Sequence, residues 1–404
     1  MGIEINICML LEFLHNEKNR IPPEVGIESY ITNFGHNVTW IMPSNKMKII
    51  CEASLDNVRI IVIPTKFTKN FLKPFSFMIY CLRRMFFTFK AFKENDYNMI
   101  LVRSSLPDGI AALWIRKIYK IPLVVELHNP FEQKYIGYSN HKFRHIVYFI
   151  SIIDSYLTMY ILSKADLVLP VGRFMKKYLA EKGIDESKMM NLPQGVRLSR
   201  FCNANGSRVK EKYMLNNFKI ITYVGTMYKL RHLDVLIYAF SIVMNQITEV
   251  KFLMVGDGND RSNLEKLADR LGIEHNVIFT GEVDDYEVPD YIAASDICVS
   301  PIPPLDIYKV SCPIKMLEYM MMGKPVVANE EIPEQKEVIK ETGAGVLVKF
   351  ESDSIAKGII EFLKNPSDAK RMGKKGNEWV TKNRSFEILA KKLEHKYHDL
   401  ILCR

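Results

Sequence analysis

Short apolar runs rich in Val, Ile and Leu alternate with stretches of helical period along most of the chain. Continuous runs of this length are typical of parallel strands that helices cover on both faces. The helical period is clearest in His232–Met244 and Arg261–Gly272. The predicted strands are Ile3–Leu10, Asn37–Met42, Arg59–Ile63, Met99–Val102, Leu123–Leu127 and Leu167–Val171 in the first half, and Ile220–Val224, Lys251–Val255, Asn276–Thr280, Ile297–Pro301, Pro325–Ala328 and Gly345–Val348 in the second. These repeated βα units predict two doubly wound α/β domains.

A polar stretch separates the two sets of βα units. Residues 195–213, GVRLSRFCNANGSRVKEKY, contain Asn, Gly and Ser and show no sustained apolar period. We therefore predict one Rossmann-like domain over residues 1–200 and a second over residues 201–385. The remaining residues, 386–404, form a predicted helix that packs back on the first domain. Because ligands of open α/β sheets bind at the carboxyl ends of the strands, we expect the two domains to face a central cleft.

Composition narrows the class of protein further. The 404 residues are 48% hydrophobic, with 55 Lys and Arg against 46 Asp and Glu. These values exclude a disordered or collagen-like chain. The seven cysteines are sparse and form no C-x-x-C pair, which favours reduced thiols in the cytoplasm over a disulfide scaffold or zinc ribbon.

Neither the first residues nor the longest apolar stretch of the sequence suggests export or a membrane span. The first residues, MGIEINICMLLEFLH, lack the basic start and cleavage site of a signal peptide. The longest apolar stretch, Ile146–Leu162, carries Asp154 near its middle. A spanning helix needs about 20 apolar residues without such a charge. We therefore expect a cytoplasmic protein.

The positive excess lies entirely in the first half of the chain, where two aromatic segments also occur. Residues 71–93 are rich in Phe and carry Lys73, Arg83, Arg84 and Lys90, and residues 142–164 mix Phe, Tyr and Ile. Two interpretations stay open: helices packed on the sheet, or a peripheral membrane surface in which aromatics enter the headgroup layer. Nucleic-acid binding is disfavoured, because the cations are interleaved with bulky apolar residues and no nucleic-acid motif occurs.

Candidate chemistry begins after the strand Ile220–Val224. Gly225 allows a close approach of a ligand to the backbone, and Lys229 and Arg231 add positive charge beside the start of the next helix. This arrangement suits a phosphate, although a glycine at a strand end is also common without one. Gly256 belongs to a G-x-G without the third glycine of a dinucleotide site. No P-loop and no G-x-S-x-G occurs, which excludes P-loop NTPases and disfavours α/β-hydrolases.

The segment SCPIKMLEYMMMGKPVVA, from Ser311 to Ala328, carries the strongest signal. A helix is predicted from near Pro313 to Gly323, with Glu318 on an otherwise apolar face. Since an unpaired buried carboxylate costs several kcal/mol, Glu318 needs a partner. The vicinal hydroxyls of a ribose and a structural salt bridge are both open alternatives. Lys315 lies three positions earlier on the same side of the helix.

The order of the motifs resembles the retaining glycosyltransferases of family 4 (group 1), which have the two-domain GT-B fold. The resemblance covers nearly the whole chain. The motifs, in order, are Gly35-His36-Asn37-Val38, YNMILVR, VVELHNP, ADLVLPVGRFMKKYL, LPQGVRLSRF, YVGTMYKLRHLDVLIYAF, FLMVGDG, VIFTGEV and IKMLEYMMMGKPVVA.

This resemblance implies a nucleotide-sugar donor, no divalent metal and roles for individual residues. Glu318 matches the acid that hydrogen-bonds the donor ribose, Arg231 the cation that holds the diphosphate, and His128 a residue beside the transferred sugar; these three are the predicted catalytic residues. Glu282 and Val283 match the family's Gly-x-Val turn beside the nucleobase. The predicted donor-binding residues are Gly225, Thr226, Lys229, Arg231, Gly256, Glu282, Val283, Asp306, Ser311, Ile314, Lys315 and Glu318. The predicted acceptor side comprises Val25, Gly26 and His128.

The sequence departs from the family pattern at three places. The first acid of the family's E-x7-E motif falls on Val310, and the nearest acid is Asp306. Thr226 replaces the usual arginine after the strand-end glycine, and Val25-Gly26 replaces a glycine pair. These departures predict a variant donor subsite, in which Asp306 or a backbone amide contacts the sugar hydroxyls.

The predicted activity is transfer of a sugar from a nucleotide-sugar donor to a lipid-linked or cell-surface polysaccharide or glycolipid acceptor. Two alternatives are a sugar-nucleotide epimerase of the same fold and a non-catalytic subunit that binds donor or membrane. An acceptor-free assay separates the epimerase from the transferase. No cofactor is expected in any of these cases.

Overall fold

The structure of the chain is a computed structural model that describes residues 4–11, 26–44, 50–55, 57–64, 73–103, 106–128 and 144–402. It divides into two compact units. The first unit runs to Pro193 and includes Leu389–Arg404, and the second comprises Gln194–Ile388. The division falls before the predicted border at residue 200, because Val196 pairs with Ser385 and Arg200 bonds to Glu318 within the second unit.

The first unit contains a seven-stranded sheet in the order β3-β4-β2-β1-β5-β6-β7. Every pairing is parallel except that of β3 with β4. The strand β3 was not predicted, since it is an exposed, polar edge strand without an apolar run. The strands are β1 Asn6–Leu10, β2 Asn37–Ser44, β3 Cys51–Leu55, β4 Val58–Pro64, β5 Met99–Arg103, β6 Leu123–Leu127 and β7 Leu167–Pro170.

The second unit contains a six-stranded, wholly parallel sheet in the order β10-β9-β8-β11-β12-β13. Its strands are β8 Lys219–Val224, β9 Val250–Val255, β10 Val277–Gly281, β11 Ile297–Ser300, β12 Val326–Asn329 and β13 Gly345–Val348. All of the predicted strands are present in the two sheets. The predicted fold class, two doubly wound α/β domains, is therefore confirmed.

Helices connect these strands, as the alternating pattern predicted. In the first part of the chain they are α1 Lys73–Glu94, α2 Leu106–Tyr119, α3 Arg144–Lys164 and α4 Arg173–Glu181. The later helices are α5 Gly206–Lys212, α6 Asp234–Met244, α7 Arg261–Arg270, α8 Val288–Ala294, α9 Asp306–Lys309, α10 Ile314–Met321, α11 Pro333–Thr342, α12 Ser352–Lys364, α13 Pro366–Asn383 and α14 Phe386–Leu402.

The strand order identifies where each sheet offers a binding crevice. The chain adds β2 on one side of β1 and later β5 on the other, and in the second unit it adds β9 on one side of β8 and β11 on the other. The connections on the two sides of each central strand therefore run over opposite faces of the sheet. The crevice that results lies at the carboxyl ends of β1 and β8, at Leu10 and Val224.

A buried ion pair holds the helices of the first unit to the end of β1. Arg84 on α1 donates from Nε to Asp108 on α2 at 2.6 Å, and its Nη2 donates to the carbonyl oxygen of Leu11. Both side chains are completely buried. The expectation that Arg84 contributes to a positive surface is therefore wrong, because its charge is neutralised inside the unit.

The last helix, α14, reaches the first unit through Glu394. The Glu394 carboxylate lies 3.4 Å from Nε2 of His36 and 3.0 Å from Nε2 of His398. The Ile5 N–H donates to Nδ1 of His36, which leaves the proton of a neutral His36 on Nε2, where it donates to Glu394. The cluster therefore acts as a hydrogen-bonded attachment of α14 beside β1.

The expectations about a membrane span and about the cysteines can be compared with the described part of the chain. None of its helices is long and apolar enough to cross a membrane. The six cysteines that it includes are all free.

Candidate active site

The carboxyl end of β8 is covered by the helix α10. The backbone N–H of Val224 donates to the phenolic oxygen of Tyr319 at 2.9 Å, and Tyr319 is completely buried. One turn earlier on α10, the side chain of Lys315 passes so close to Gly225 that a Cβ on that glycine would lie 3.2 Å from the Lys315 Cε. The hydrogen bond thus places a lysine at the strand end.

Glycines allow the ends of β8 and β9 to approach closely. A Cβ on Gly256, whose φ is 128°, would overlap the carbonyl oxygen of Gly225. A Cβ on Gly258 would in the same way overlap the carbonyl oxygen of Met227. The G-x-G sequence therefore serves backbone packing at this edge of the sheet, which the sequence pattern alone did not reveal.

Substitution of Gly256 by alanine is expected to destabilise the second unit by about 3 kcal/mol, because it combines a left-handed backbone conformation with a steric overlap. Gly272→Ala is the matched control. Gly272 also has a positive φ, of 68°, but no atom lies within 4 Å of its added Cβ, so we expect a loss of only about 1 kcal/mol. Thermal unfolding of both variants measures the difference; equal losses would contradict the packing role of Gly256.

The predicted diphosphate residue Arg231 stacks on the ring of Tyr308 and acts electrostatically on Tyr223. Its guanidinium carbon lies 4.7 Å from the centroid of the Tyr308 ring, a cation–π contact. Burial raises the pKa of Tyr223 to about 12, against the opposing effect of the Arg231 charge. The Tyr223 hydroxyl remains protonated and donates to the carbonyl oxygen of Thr226. Lys315 therefore adjoins the strand end, and the charge of Arg231 acts on the Tyr223 hydroxyl that lies against Gly225. The side chains of Thr226 and Lys229 are exposed.

Glu318 is paired with an arginine that the sequence reasoning did not identify. Nη1 of Arg200 donates to Oε1 of Glu318 at 2.8 Å, and the exposed fractions of the two side chains are 17% and 6%. The structure thus provides the salt bridge that was one of the two predicted partners. Nη2 of Arg200 donates to the backbone carbonyl of Asp285, in the loop after β10.

This arginine also connects the predicted nucleobase turn to α10. Glu282 and Val283 begin the loop that contains Asp285; Glu282 is exposed and Val283 packs partly against the core. Because Arg200 bonds to the loop and to Glu318, the predicted nucleobase and ribose residues belong to one connected group. This grouping was implied by the resemblance but not by any local sequence pattern.

The short helix α9, which precedes α10, begins with Asp306 in solvent. The Asp306 carboxylate is 95% exposed and accepts a hydrogen bond from Lys309 Nζ at 2.9 Å. Ser311 donates from Oγ to the carbonyl oxygen of Tyr308, Val310 follows α9, and Ile314 begins α10. Replacement of the missing motif acid by Asp306 remains a prediction, and in this structure its carboxylate interacts with Lys309.

In the first unit, His128 is positioned by a buried glutamate. Its Nε2 lies 2.6 Å from Oε1 of Glu126, and Nε of Arg103 donates to the other carboxylate oxygen at 2.7 Å. Burial raises the pKa of Glu126, but the charges and hydrogen bonds of Arg103 and His128 outweigh it and lower the pKa to about 2. The ionised carboxylate accepts a hydrogen bond, so the His128 proton nearest to it is on Nε2.

Substitution of Glu126 by glutamine is expected to lower stability by about 2 kcal/mol at neutral pH. Because the pKa of Glu126 is depressed on folding, its contribution is fully present above the unfolded pKa and is lost as the pH falls toward about 2. The difference in thermal midpoint between the two proteins should therefore shrink as the pH is lowered below about 4.5. A constant difference from neutral to acidic pH would contradict the pairing.

Of the other predicted acceptor-side residues, the structure describes Gly26. Gly26 precedes the 3-10 helix Ile27–Phe34, and its carbonyl oxygen accepts hydrogen bonds from the N–H and the hydroxyl of Ser29. Val25 lies outside the described residues. The sequence reasoning missed Arg103, Glu126, Tyr308 and Tyr319; of these, only Glu126 carried a signal, as a charge inside an apolar strand.

Each half of the chain matches a known protein family. Residues 29–200 match Glycosyltransferase Family 4, and residues 208–379 match Glycosyl transferases group 1. In structure, the chain is similar to sucrose-phosphate synthase from Thermosynechococcus elongatus, with a TM-score of 0.76 and 19% identity over 99% of this chain and all of the other. The predicted GT-B fold is thereby confirmed.

Curated relatives match this chain at low sequence identity and over part of their own length. The GDP-mannose-dependent alpha-(1-6)-phosphatidylinositol monomannoside mannosyltransferase of Mycolicibacterium smegmatis is 25% identical over 54% of this chain and 58% of its own. The alpha-monoglucosyldiacylglycerol synthase of Streptococcus pneumoniae is 23% identical over 77% of this chain and 67% of its own. The chain spans about three fifths of the length of several curated relatives that it matches. On the two family matches, the shared fold and the order of its motifs, the chain belongs to the group 1 glycosyltransferases of family 4.

Proposed function

We propose that the protein is a retaining glycosyltransferase that moves a sugar from a nucleoside-diphosphate donor to a lipid-linked or cell-surface saccharide acceptor. The observation that carries the proposal is a pair of cations near the end of β8. Lys315 lies against Gly225, and the charge of Arg231 acts on Tyr223, whose hydroxyl also lies against Gly225. A strand end with bare backbone and two positive side chains suits a diphosphate. The relatives act, by their names, on lipid-bearing acceptors, and one uses GDP-mannose.

In the proposed reaction, the bond between the anomeric carbon and the diphosphate oxygen breaks and a bond to the acceptor oxygen forms on the same face. The acceptor proton leaves with the nucleoside diphosphate. Negative charge therefore grows on the leaving group, and Arg231 and Lys315 stabilise it without a metal ion. His128 contacts the transferred sugar, and the Glu126–Arg103 pair holds its ring in one tautomer.

Glu318 is proposed to bind the donor ribose through its carboxylate. Glu318→Gln then weakens donor binding in the folded protein as well as lowering stability, by the loss of charged hydrogen bonds. Glu265→Gln is a matched control, because Glu265 is also bonded to an arginine, Arg261, at 2.7 Å. If Glu318→Gln lowers only the thermal midpoint and leaves donor affinity unchanged, the glutamate has a structural role alone.

The proposed function is tested first by ligand-dependent stability. Thermal unfolding is measured with UDP, GDP, ADP and their sugars, since a ligand at about 100 times its Kd raises stability by about 2.7 kcal/mol. One donor should then support transfer to a lipid or saccharide acceptor, unchanged by EDTA. Conversion of the donor without any acceptor would instead indicate an epimerase, and stabilisation without turnover a binding subunit. The absence of both stabilisation and turnover would overturn the proposal.

A further inference from the structure

Exposed apolar side chains are concentrated on three helices of the first unit. The surface that carries them is formed by α1, α2 and α3, with α2 in contact with both of the others. The close packing of α2 on α3 is made possible by Gly109, whose added Cβ would lie 2.6 Å from Cδ1 of Ile161. We call this surface the three-helix face; its exposed large apolar side chains are Ile79, Leu82, Phe86, Trp114, Ile118, Tyr119, Tyr148, Phe149, Ile152, Ile153, Tyr156 and Tyr160.

On α3 these side chains form a continuous stripe. Tyr148, Ile152, Tyr156 and Tyr160 follow one another at four-residue intervals, so they lie on one side of the helix. Tyr156 is 74% exposed and Tyr148 is 68% exposed, whereas Asp154 is buried on the opposite side. Isolated apolar residues are normal on a protein surface, but twelve exposed large apolar side chains on three adjoining helices indicate an interaction site.

The charges on the same helices are almost all positive. The exposed basic side chains are Arg83, Lys90, Lys93, Lys117 and Lys164. Among the described side chains of the three helices, Glu94 is the exposed acid, and Lys90 is within 3.7 Å of it. Lys164 Nζ lies 5.6 Å from the centroid of the Tyr160 ring, at the end of the aromatic stripe.

We propose that the three-helix face docks the protein on a bilayer that contains anionic lipids. Tyrosine and tryptophan suit the boundary between acyl chains and headgroups, because each has an apolar ring and a polar group. The surrounding lysines and arginines attract anionic headgroups. A symmetric contact between two copies of this face is disfavoured, since it would bring the same cations into opposition.

The proposal identifies α2, which the sequence analysis did not assign to a membrane surface, as the centre of the docking face. It also separates the outward-facing Arg83 from the buried Arg84 on α1. Docking does not depend on sugar transfer, since it is measured without a donor. Failure of one proposal is therefore distinguishable from failure of the other.

The test is co-sedimentation of the full chain with vesicles of phosphatidylcholine alone or of phosphatidylcholine with phosphatidylglycerol. We expect at least tenfold tighter binding to the anionic vesicles, and weakening of that binding by salt. The variant Ile152→Ser/Tyr156→Ser should bind at least tenfold more weakly. Met214→Ser/Tyr238→Ser is the control, because both of its residues are exposed and belong to the second unit.

A second readout uses Trp114, which is 53% exposed on α2. Its fluorescence should shift to shorter wavelength on binding and be quenched by lipids with brominated acyl chains, and Trp114→Phe should abolish both changes. Equal vesicle binding by the α3 variant and the control would overturn the proposal, as would an unquenched Trp114. A dimer that dissociates in the α3 variant, with no vesicle binding by the unaltered protein, would assign the face to a second copy instead.

Discussion

Arg231→Ala is expected to reduce kcat by roughly 10²- to 10³-fold, with a smaller change in donor affinity. The guanidinium is held over the Tyr308 ring at 4.7 Å, so its position is set before the reaction begins. A preorganised charge of this kind stabilises the leaving diphosphate most in the transition state, where the negative charge is greatest. Steady-state kinetics with the active nucleotide sugar measure the effect.

Arg231→Lys provides the rescue variant for this experiment. A lysine retains one positive charge, so it should recover most of the lost kcat while losing the planar stacking on Tyr308. Arg270→Ala is the control, because Arg270 is exposed at the end of α7. A similar kcat for the Arg231→Ala and Arg270→Ala proteins would contradict the role of Arg231 at the leaving group.

Arg200→Ala is expected to lower the free energy of unfolding of the second unit by about 3–5 kcal/mol. The substitution removes the partner of Glu318, whose side chain is only 6% exposed, and leaves its carboxylate buried without that charge. It also removes the donor to the Asp285 carbonyl. Hydrogen exchange followed by mass spectrometry should show faster exchange in α10 and in the loop after β10.

The double variant Arg200→Met/Glu318→Met tests the cause of that loss. Without either charge, the pair is replaced by apolar side chains, and we expect most of the lost stability to return. Arg208→Ala is the control for a surface pair, since Arg208 is 72% exposed and lies 3.6 Å from Asp290. It should cost at most about 1 kcal/mol. A loss in Arg200→Ala no larger than that of Arg208→Ala would show that the buried pair contributes little.

The two predictions concern Arg231, which the sequence motifs identified, and Arg200, which they did not. Arg231 was identified through the order of motifs around β8, and the structure stacks it on Tyr308. Arg200 had no such signal, because it lies 118 residues from Glu318 in the chain. A salt bridge between residues so far apart depends on how β10, α10 and the segment before α5 pack.

The same distinction applies to the aromatic segments of the first half. Their composition indicated either packed helices or a membrane surface, and no periodicity separated the two. The structure buries Arg84 against Asp108 and turns Phe86, Trp114 and Tyr156 outward. Because α1 and α3 are apolar around much of their circumference, only their packing on α2 decides which side remains exposed.

Hydrophobic patterning by itself determined the alternation of strands and helices, the parallel sheets and the doubly wound fold, because buried strands require unbroken apolar runs whatever their neighbours are. It did not determine β3, whose polar sequence becomes a strand only through its pairing with β4. The tertiary structure alone decided which partners meet: Arg200 with Glu318, Arg103 with Glu126, and Tyr308 with Arg231. The physical reason is that hydrogen bonds and ion pairs act over a few ångströms in space, while local sequence patterns report only on neighbours along the chain.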